Sequence, residues 1–131
     1  MDTGAIRRRI ALGMAVLTAS GLLALAAPGS AQAADSYCPG RKVKELPFST
    51  GTVYVYKSDG GYVCAVTFPK HSSSAKRSMS VSVQARGNRP VVDKGKYSHH
   101  AGPITVHAGH RCVRIKGSVG SGKVSSGWIL C

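Results

Sequence analysis

Acidic residues are scarce in this chain. Five Asp and Glu stand against 18 Lys and Arg in 131 residues. Beyond residue 33 only Asp35, Glu45, Asp59 and Asp93 remain. The nearest two of these in sequence, Asp35 and Glu45, are ten residues apart, so no carboxylate pair for glycoside hydrolysis stands out. The serines are many, yet no Gly-x-Ser-x-Gly elbow holds one. No Cys-x-x-Cys pair exists, which argues against a zinc site. No acid, base and nucleophile set emerges, and the expectation is a protein without enzymatic activity and without a cofactor. Helix-turn-helix, RNA-recognition and zinc-finger patterns are missing too, so no specific nucleic-acid partner is expected. Beyond residue 33, no segment of ten or more residues carries a helical apolar period.

One long apolar run is present, and it lies at the start. Arg7, Arg8 and Arg9 precede an apolar stretch from Ile10 to Ala27. Pro28 and Gly29 are expected to end any helix there. Ala31-Gln32-Ala33 places small residues at the positions a signal peptidase reads. Residues 1–33 therefore read as a cleaved signal peptide, and 34–131 as one secreted domain with no transmembrane anchor after cleavage. A lipoprotein is disfavoured because no Cys sits at the cleavage point.

The 98 residues from Ala34 suit one small domain, which gains from covalent help. Cys38, Cys64, Cys112 and Cys131 are the only cysteines. In a secreted chain an even number reads as two disulfides. Three pairings are possible and the sequence alone does not choose. Sequential pairing is expected, since each bridge would then close a short loop and tie a chain end to a central strand.

Turn signals recur about every ten residues, as in an all-β antiparallel sandwich or small barrel of seven or eight strands. Residues 35–50 read as an irregular lead-in, with a possible short strand from Arg41 to Leu46. Thr52 to Lys57 and Tyr62 to Phe68 read as a hairpin about Ser58-Asp59-Gly60-Gly61. Tyr62, Cys64, Val66 and Phe68 share one face of the second strand, which sets Cys64 with the core. Pro69 to Arg77 is a polar loop. Ser78 to Arg86 alternates strictly, with Met79, Val81, Val83 and Ala85 on its apolar face. After Gly87-Asn88-Arg89-Pro90 come Val91 to Asp93 and then three short strands, Tyr97 to His100, Ile104 to His107 and Arg111 to Ile115. Ala101-Gly102-Pro103 separates the first two of the three. Gly117 to Gly127 is expected to be a loop, and Trp128 to Cys131 a buried terminal strand.

Gly117-Ser118-Val119-Gly120-Ser121-Gly122-Lys123 imitates a phosphate-binding P-loop. Val124 stands where a Ser or Thr would hold magnesium, and no helix follows, so the segment reads as a surface loop. His99, His100, His107 and His110 lie within twelve residues. A hairpin between the strands ending in His100 and His107 would bring two or three imidazoles together as metal ligands. No Asp or Glu lies among them to orient a ring, and surface histidines are the simpler reading. Tyr54, Tyr56 and Tyr62 are expected to pack across strands rather than to form an exposed platform.

Beyond residue 33 the 15 Lys and Arg outnumber the four acids by eleven. Such a chain adheres to polyanions. The expected partners are anionic polymers of a cell wall or spore surface, with Arg41, Lys42, Lys44, Lys76, Arg77, Arg111, Arg114 and Lys116 as candidate contacts. Two rival functions are a secreted protease inhibitor, presenting the loop His71 to Arg77, and a cationic antimicrobial or toxin protein.

A family resemblance joins these readings. Gly51-Thr52-Val53-Tyr54-Val55-Tyr56, Gly61-Tyr62-Val63-Cys64-Ala65-Val66-Thr67, and Asp93-Lys94-Gly95-Lys96-Tyr97 running into Ala101-Gly102-Pro103-Ile104 resemble spore-associated protein A of the streptomycetes. Cys112-Val113 and Cys131 sit where that family places its second cysteine pair. His100 stands where the family often carries an aromatic residue. The resemblance implies a small secreted actinobacterial protein of aerial hyphae and the spore surface, without enzymatic activity or known ligand.

Overall fold

The computed structural model describes residues 29–131. The apolar run up to Ala27 and most of the expected signal peptide lie outside the described residues. Among the described residues one helix, α1 (Gly29–Tyr37), precedes eight strands. These are β1 (Arg41–Phe48), β2 (Gly51–Ser58), β3 (Tyr62–Pro69), β4 (Arg77–Ala85), β5 (Val91–Tyr97), β6 (Ala101–His107), β7 (Val113–Val119) and β8 (Gly122–Ile129). They form two antiparallel four-stranded sheets, ordered β1–β2–β3–β6 and β5–β4–β7–β8. The expected all-β class is therefore observed, as a sandwich rather than a closed barrel.

The core follows from strand alternation. Met79, Val81, Val83 and Ala85 of β4 point inward and are buried, as their spacing requires. Val113, Ile115 and Val119 of β7 join them, and Val53, Val55, Val63 and Ala65 face them from the other sheet. Gly117 of β7 marks the closest approach of the two sheets. A Cβ there would lie 2.3 Å from Val53 Cγ2 and 2.7 Å from Thr67 Oγ1.

The other face of β2 and β3 builds a second core, and Cys64 is buried in it as expected, although outside the sandwich. Cys64, Val66 and Phe68 do not point between the sheets. They form a second apolar cluster with Tyr54, Tyr56, Ala34 and Cys38 on the outside of their sheet. Helix α1 covers that cluster. Ala31, Ala34 and Cys38 recur at helical spacing along one flank and supply its apolar stripe. Gly29 thus lies in a helix instead of ending one, and the expected irregular lead-in is helical as far as Tyr37. Alanine's high helix propensity favours the turn, and burial against the sheet holds it. Pro39 and Gly40 end it as a turn. The disulfide Cys38–Cys64, with a Cα separation of 5.7 Å, fastens α1 to β3.

Three strand boundaries also move. β5 runs unbroken from Val91 to Tyr97, and residues 98–100 are the crossing to the opposite sheet. Ala101, Gly102 and Pro103 belong to β6. Pro103 is tolerated because β6 is an edge strand, where a missing N–H breaks no ladder on its outer side. The Gly/Ser stretch 117–127 is a hairpin, with Gly117 opposite Val124 and Ser118 opposite Lys123. Its small residues suit close sheet packing on one side and an open face on the other. Trp128 is therefore not part of a buried terminal strand: it lies half-buried on the outer face of β8. Cys131 follows β8 and bridges to Cys112, just before β7, at a Cα separation of 4.0 Å.

Candidate polyanion-binding face

The polar residues of β4 face away from the core, and the pairing register extends their pattern across four strands. Lys94, Ser80, Ser118 and Lys123 make one row over β5, β4, β7 and β8. Val92, Ser82, Lys116 and Ser125 make the next. Gln84, Arg114 and Trp128 make a third. Lys96 pairs with Ser78 at the far end of the face. Directly paired residues of antiparallel strands share a side of the sheet, so all of these project outward. Arg86 continues β4 beside the third row, its guanidinium 5.4 Å from the centre of the Trp128 ring.

Among the described residues no carboxylate lies on this face. Asp93 occupies the inward side of β5, where it accepts from the Tyr97 hydroxyl and from the Gly102 N–H at 2.8 Å. Its hydrogen bond also holds the Tyr97 hydroxyl above its ordinary pKa. Asp35 accepts from the Tyr56 hydroxyl, and Glu45 pairs with Lys42 at 2.7 Å, both on the opposite sheet. Asp59 sits in the β2–β3 turn. Six cations (Arg86, Lys94, Lys96, Arg114, Lys116 and Lys123) therefore share a surface that none of the four acids enters.

Two local arrangements shape the face. Arg114 lies 4.3 Å from the centre of the Trp128 ring, so two guanidiniums rest on one indole. Such contacts contribute about 0.5–1 kcal/mol at exposed sites and keep the guanidiniums in place. A register shift in β7–β8 between Arg114 and Lys116 supports them. There Ser126 Oγ accepts from the Ile115 N–H at 2.9 Å. The second arrangement is a shallow depression lined by Ser80, Lys116, Ser118, Lys123 and Ser125. The hydroxyls of Ser80 and Ser118 are 2.6 Å apart at its floor. Two lysines and three serines thus line one depression.

Of the eight basic residues singled out from the sequence, Arg114 and Lys116 belong to this face. Arg41, Lys42 and Lys44 lie on β1, the edge of the other sheet. The Glu45 hydrogen bond raises the pKa of Lys42. Lys76 and Arg77 flank the start of β4, and Arg77 donates to the His71 carbonyl at 2.7 Å. Arg111 donates to the carbonyls of Ala108 and His107, each at 3.0 Å, and braces the turn before β7. These eight do not converge. Lys94, Lys96 and Lys123 were missed, and Arg86, on the polar side of the alternating segment 78–86, was not singled out. The strict alternation of β4 signalled a polar face, but only the register shows which lysines join it.

The histidines separate. β5 and β6 lie in different sheets, so the hairpin that would gather the rings does not form. His100 packs against Tyr37 at 4.3 Å and Phe68 at 5.6 Å, occupying an aromatic position. His107, at the other end of β6, packs against Tyr62 at 4.9 Å and bonds the Gly60 carbonyl at 2.8 Å. Among the described residues no three metal-ligating side chains come together. Tyr54 and Tyr56 are buried in the α1 cluster, whereas Tyr62 is exposed.

The chain is similar to spore-associated protein A of Streptomyces coelicolor. They are 28% identical over 115 residues, spanning 85% of this chain and 75% of the relative. The resemblance expected from the sequence holds. No protein-family model matches the chain, and no solved structure matches it.

Proposed function

We propose that this is a secreted, non-enzymatic protein of the spore or cell-wall surface of an actinobacterium, retained there partly by its positive charge. The observation that carries this reading is the acid-free cationic face of the β5–β4–β7–β8 sheet. The likeness to a spore-associated protein supports the location, and two disulfides suit an oxidising exterior. Six cations spread over four strands attract a polymer of many anions more strongly than a single small anion. Salt weakens such contacts, because the Debye length falls from about 8 Å at 0.15 M to about 3 Å at 1 M.

The test is stepwise salt elution of washed spores and mycelium, followed by mass spectrometry of the eluates and of the medium. The expected result is release from the surface at intermediate salt. The eluted protein should begin at Ala34 and be four hydrogens lighter than its reduced form. Recovery from the medium alone would contradict surface retention. Persistence on spores through 1 M salt would contradict retention by charge.

A further inference from the structure

We propose that the outer face of the β5–β4–β7–β8 sheet binds a linear phosphodiester polymer of polyol or sugar units, the teichoic-acid type of chain. This rests on the reading above and adds to it the face and the ligand chemistry. The extent of the face points to a chain. Neighbouring strands lie about 4.8 Å apart, so the backbones of Lys94 and Lys123 are separated by about 14 Å, with Lys116 about 7 Å further along. Charges so spaced do not converge on one anion, but they match successive anions of an extended polymer.

The donor set points to phosphate. The depression between β4, β7 and β8 is lined by Lys116 and Lys123 together with Ser80, Ser118 and Ser125. A phosphodiester carries its two unbridged oxygens on a tetrahedral phosphorus and accepts from donors on several sides, whereas the two oxygens of a carboxylate favour donors near one plane. Arg86 and Arg114, held on the Trp128 ring, add two planar forks suited to phosphate oxygens. Polyol or sugar hydroxyls between phosphates find the exposed Ser78 and Ser125.

The same features disfavour other polyanions. Single-stranded nucleic acid is held by successive aromatic rings that stack on its bases. This face has one aromatic ring, and two guanidiniums already rest on it. Stable seating on an acidic membrane surface takes apolar side chains inserted between headgroups in addition to charge. Here Val92 is the one aliphatic side chain among the serines and lysines of the rows.

Trp128 is the chain's only tryptophan, so its emission reports from within the face. The oxidised protein would be titrated at about 0.15 M salt with poly(glycerol phosphate), polygalacturonate and oligo-dT of matched charge number. The expected result is a Trp128 response and clearly tighter binding with poly(glycerol phosphate). Lys116→Ser with Lys123→Ser should weaken that binding about tenfold or more. Lys42→Ser with Lys44→Ser removes the same charge from β1 and should weaken it far less. Lys116→Arg with Lys123→Arg should retain it. Far-ultraviolet circular dichroism would check that each variant is folded. Equal weakening by both serine pairs would overturn the face while leaving retention by charge intact. Binding of polygalacturonate or oligo-dT as tight as that of poly(glycerol phosphate) would overturn the ligand class. Absence of binding to all three would remove both this proposal and the electrostatic reading beneath it.

Discussion

Two residues between the sheets conflict with a plain apolar core. Thr67 is fully buried, and its Oγ1 has no hydrogen-bond partner among the described residues. Gly117 leaves the space into which Thr67 and Val53 fit. A buried hydroxyl without a partner costs about 1–3 kcal/mol, and valine keeps the shape without that cost. Thr67→Val is therefore expected to raise stability by about 1 kcal/mol, read as a higher urea midpoint at unchanged slope. Gly117→Ala should lower it by about 1–3 kcal/mol, because the new methyl meets packed side chains from the facing sheet. On the opposite side of that sheet, Tyr56 is buried and donates to Asp35. Burial first, and then this hydrogen bond, hold its pKa well above the ordinary 10.0. The folded state thus keeps a proton that the unfolded chain releases sooner. Its stabilising contribution is complete below about pH 10 and declines as pH rises further. Tyr56→Phe should lack that decline. Denaturation midpoints of the two proteins should converge above about pH 10, and a constant gap to pH 12 would sink this account.

At the level of elements, the disulfides do different work over similar loops. Cys38–Cys64 closes 26 residues and Cys112–Cys131 closes 19, so loop entropy alone assigns each about 3 kcal/mol. Context separates them. Cys38 and Cys64 are buried in the cluster beneath α1, whereas Cys131 is exposed beyond the end of β8. Replacing the first pair by alanine should cost more than replacing the second, by urea denaturation, and should release residues 35–38, which remain after cleavage before Ala34, to early hydrogen exchange. Equal costs and unchanged exchange over residues 35–38 would show that this segment is held without the bridge. Helix α1 was not legible in the sequence, since its nine residues are too few for a periodic signal and its partner is distant in the chain. An indirect signal existed. Val53 to Tyr56 and Val63 to Val66 are apolar without alternation, which marks strands covered on both faces. β4 was legible because one side meets the core and the other meets solvent. β8 was not, because serine and glycine satisfy a strand whose inner side packs tightly and whose outer side is open. The cationic face was half legible: its serine column could be read from β4 alone, but membership of Lys94 and Lys123 depends on a register set by tertiary pairing.

For the molecule as a whole, the central question is whether charge acts in bulk or through one surface. All 15 basic residues beyond residue 33 contribute to long-range attraction, whereas six lie on the face. Counterion release distinguishes the two. With the coefficient of single-stranded nucleic acid as the guide, the logarithm of the binding constant falls with the logarithm of salt concentration at about 0.7 per phosphate neutralised. If the six cations of the face each meet one phosphate, the slope for poly(glycerol phosphate) should be close to about −4. If every basic residue took part, it would approach about −10. Removing Lys116 and Lys123 should make the slope shallower by about 1.4 units, while removing Lys42 and Lys44 should leave it nearly unchanged. The face requires both the intermediate slope and its selective response to the first pair. A slope near −10, reduced equally by either pair, would instead describe a uniformly positive particle held without a defined surface. A slope near zero would mean that contacts other than charge hold the polymer, and elution of spores by salt would then fail as well.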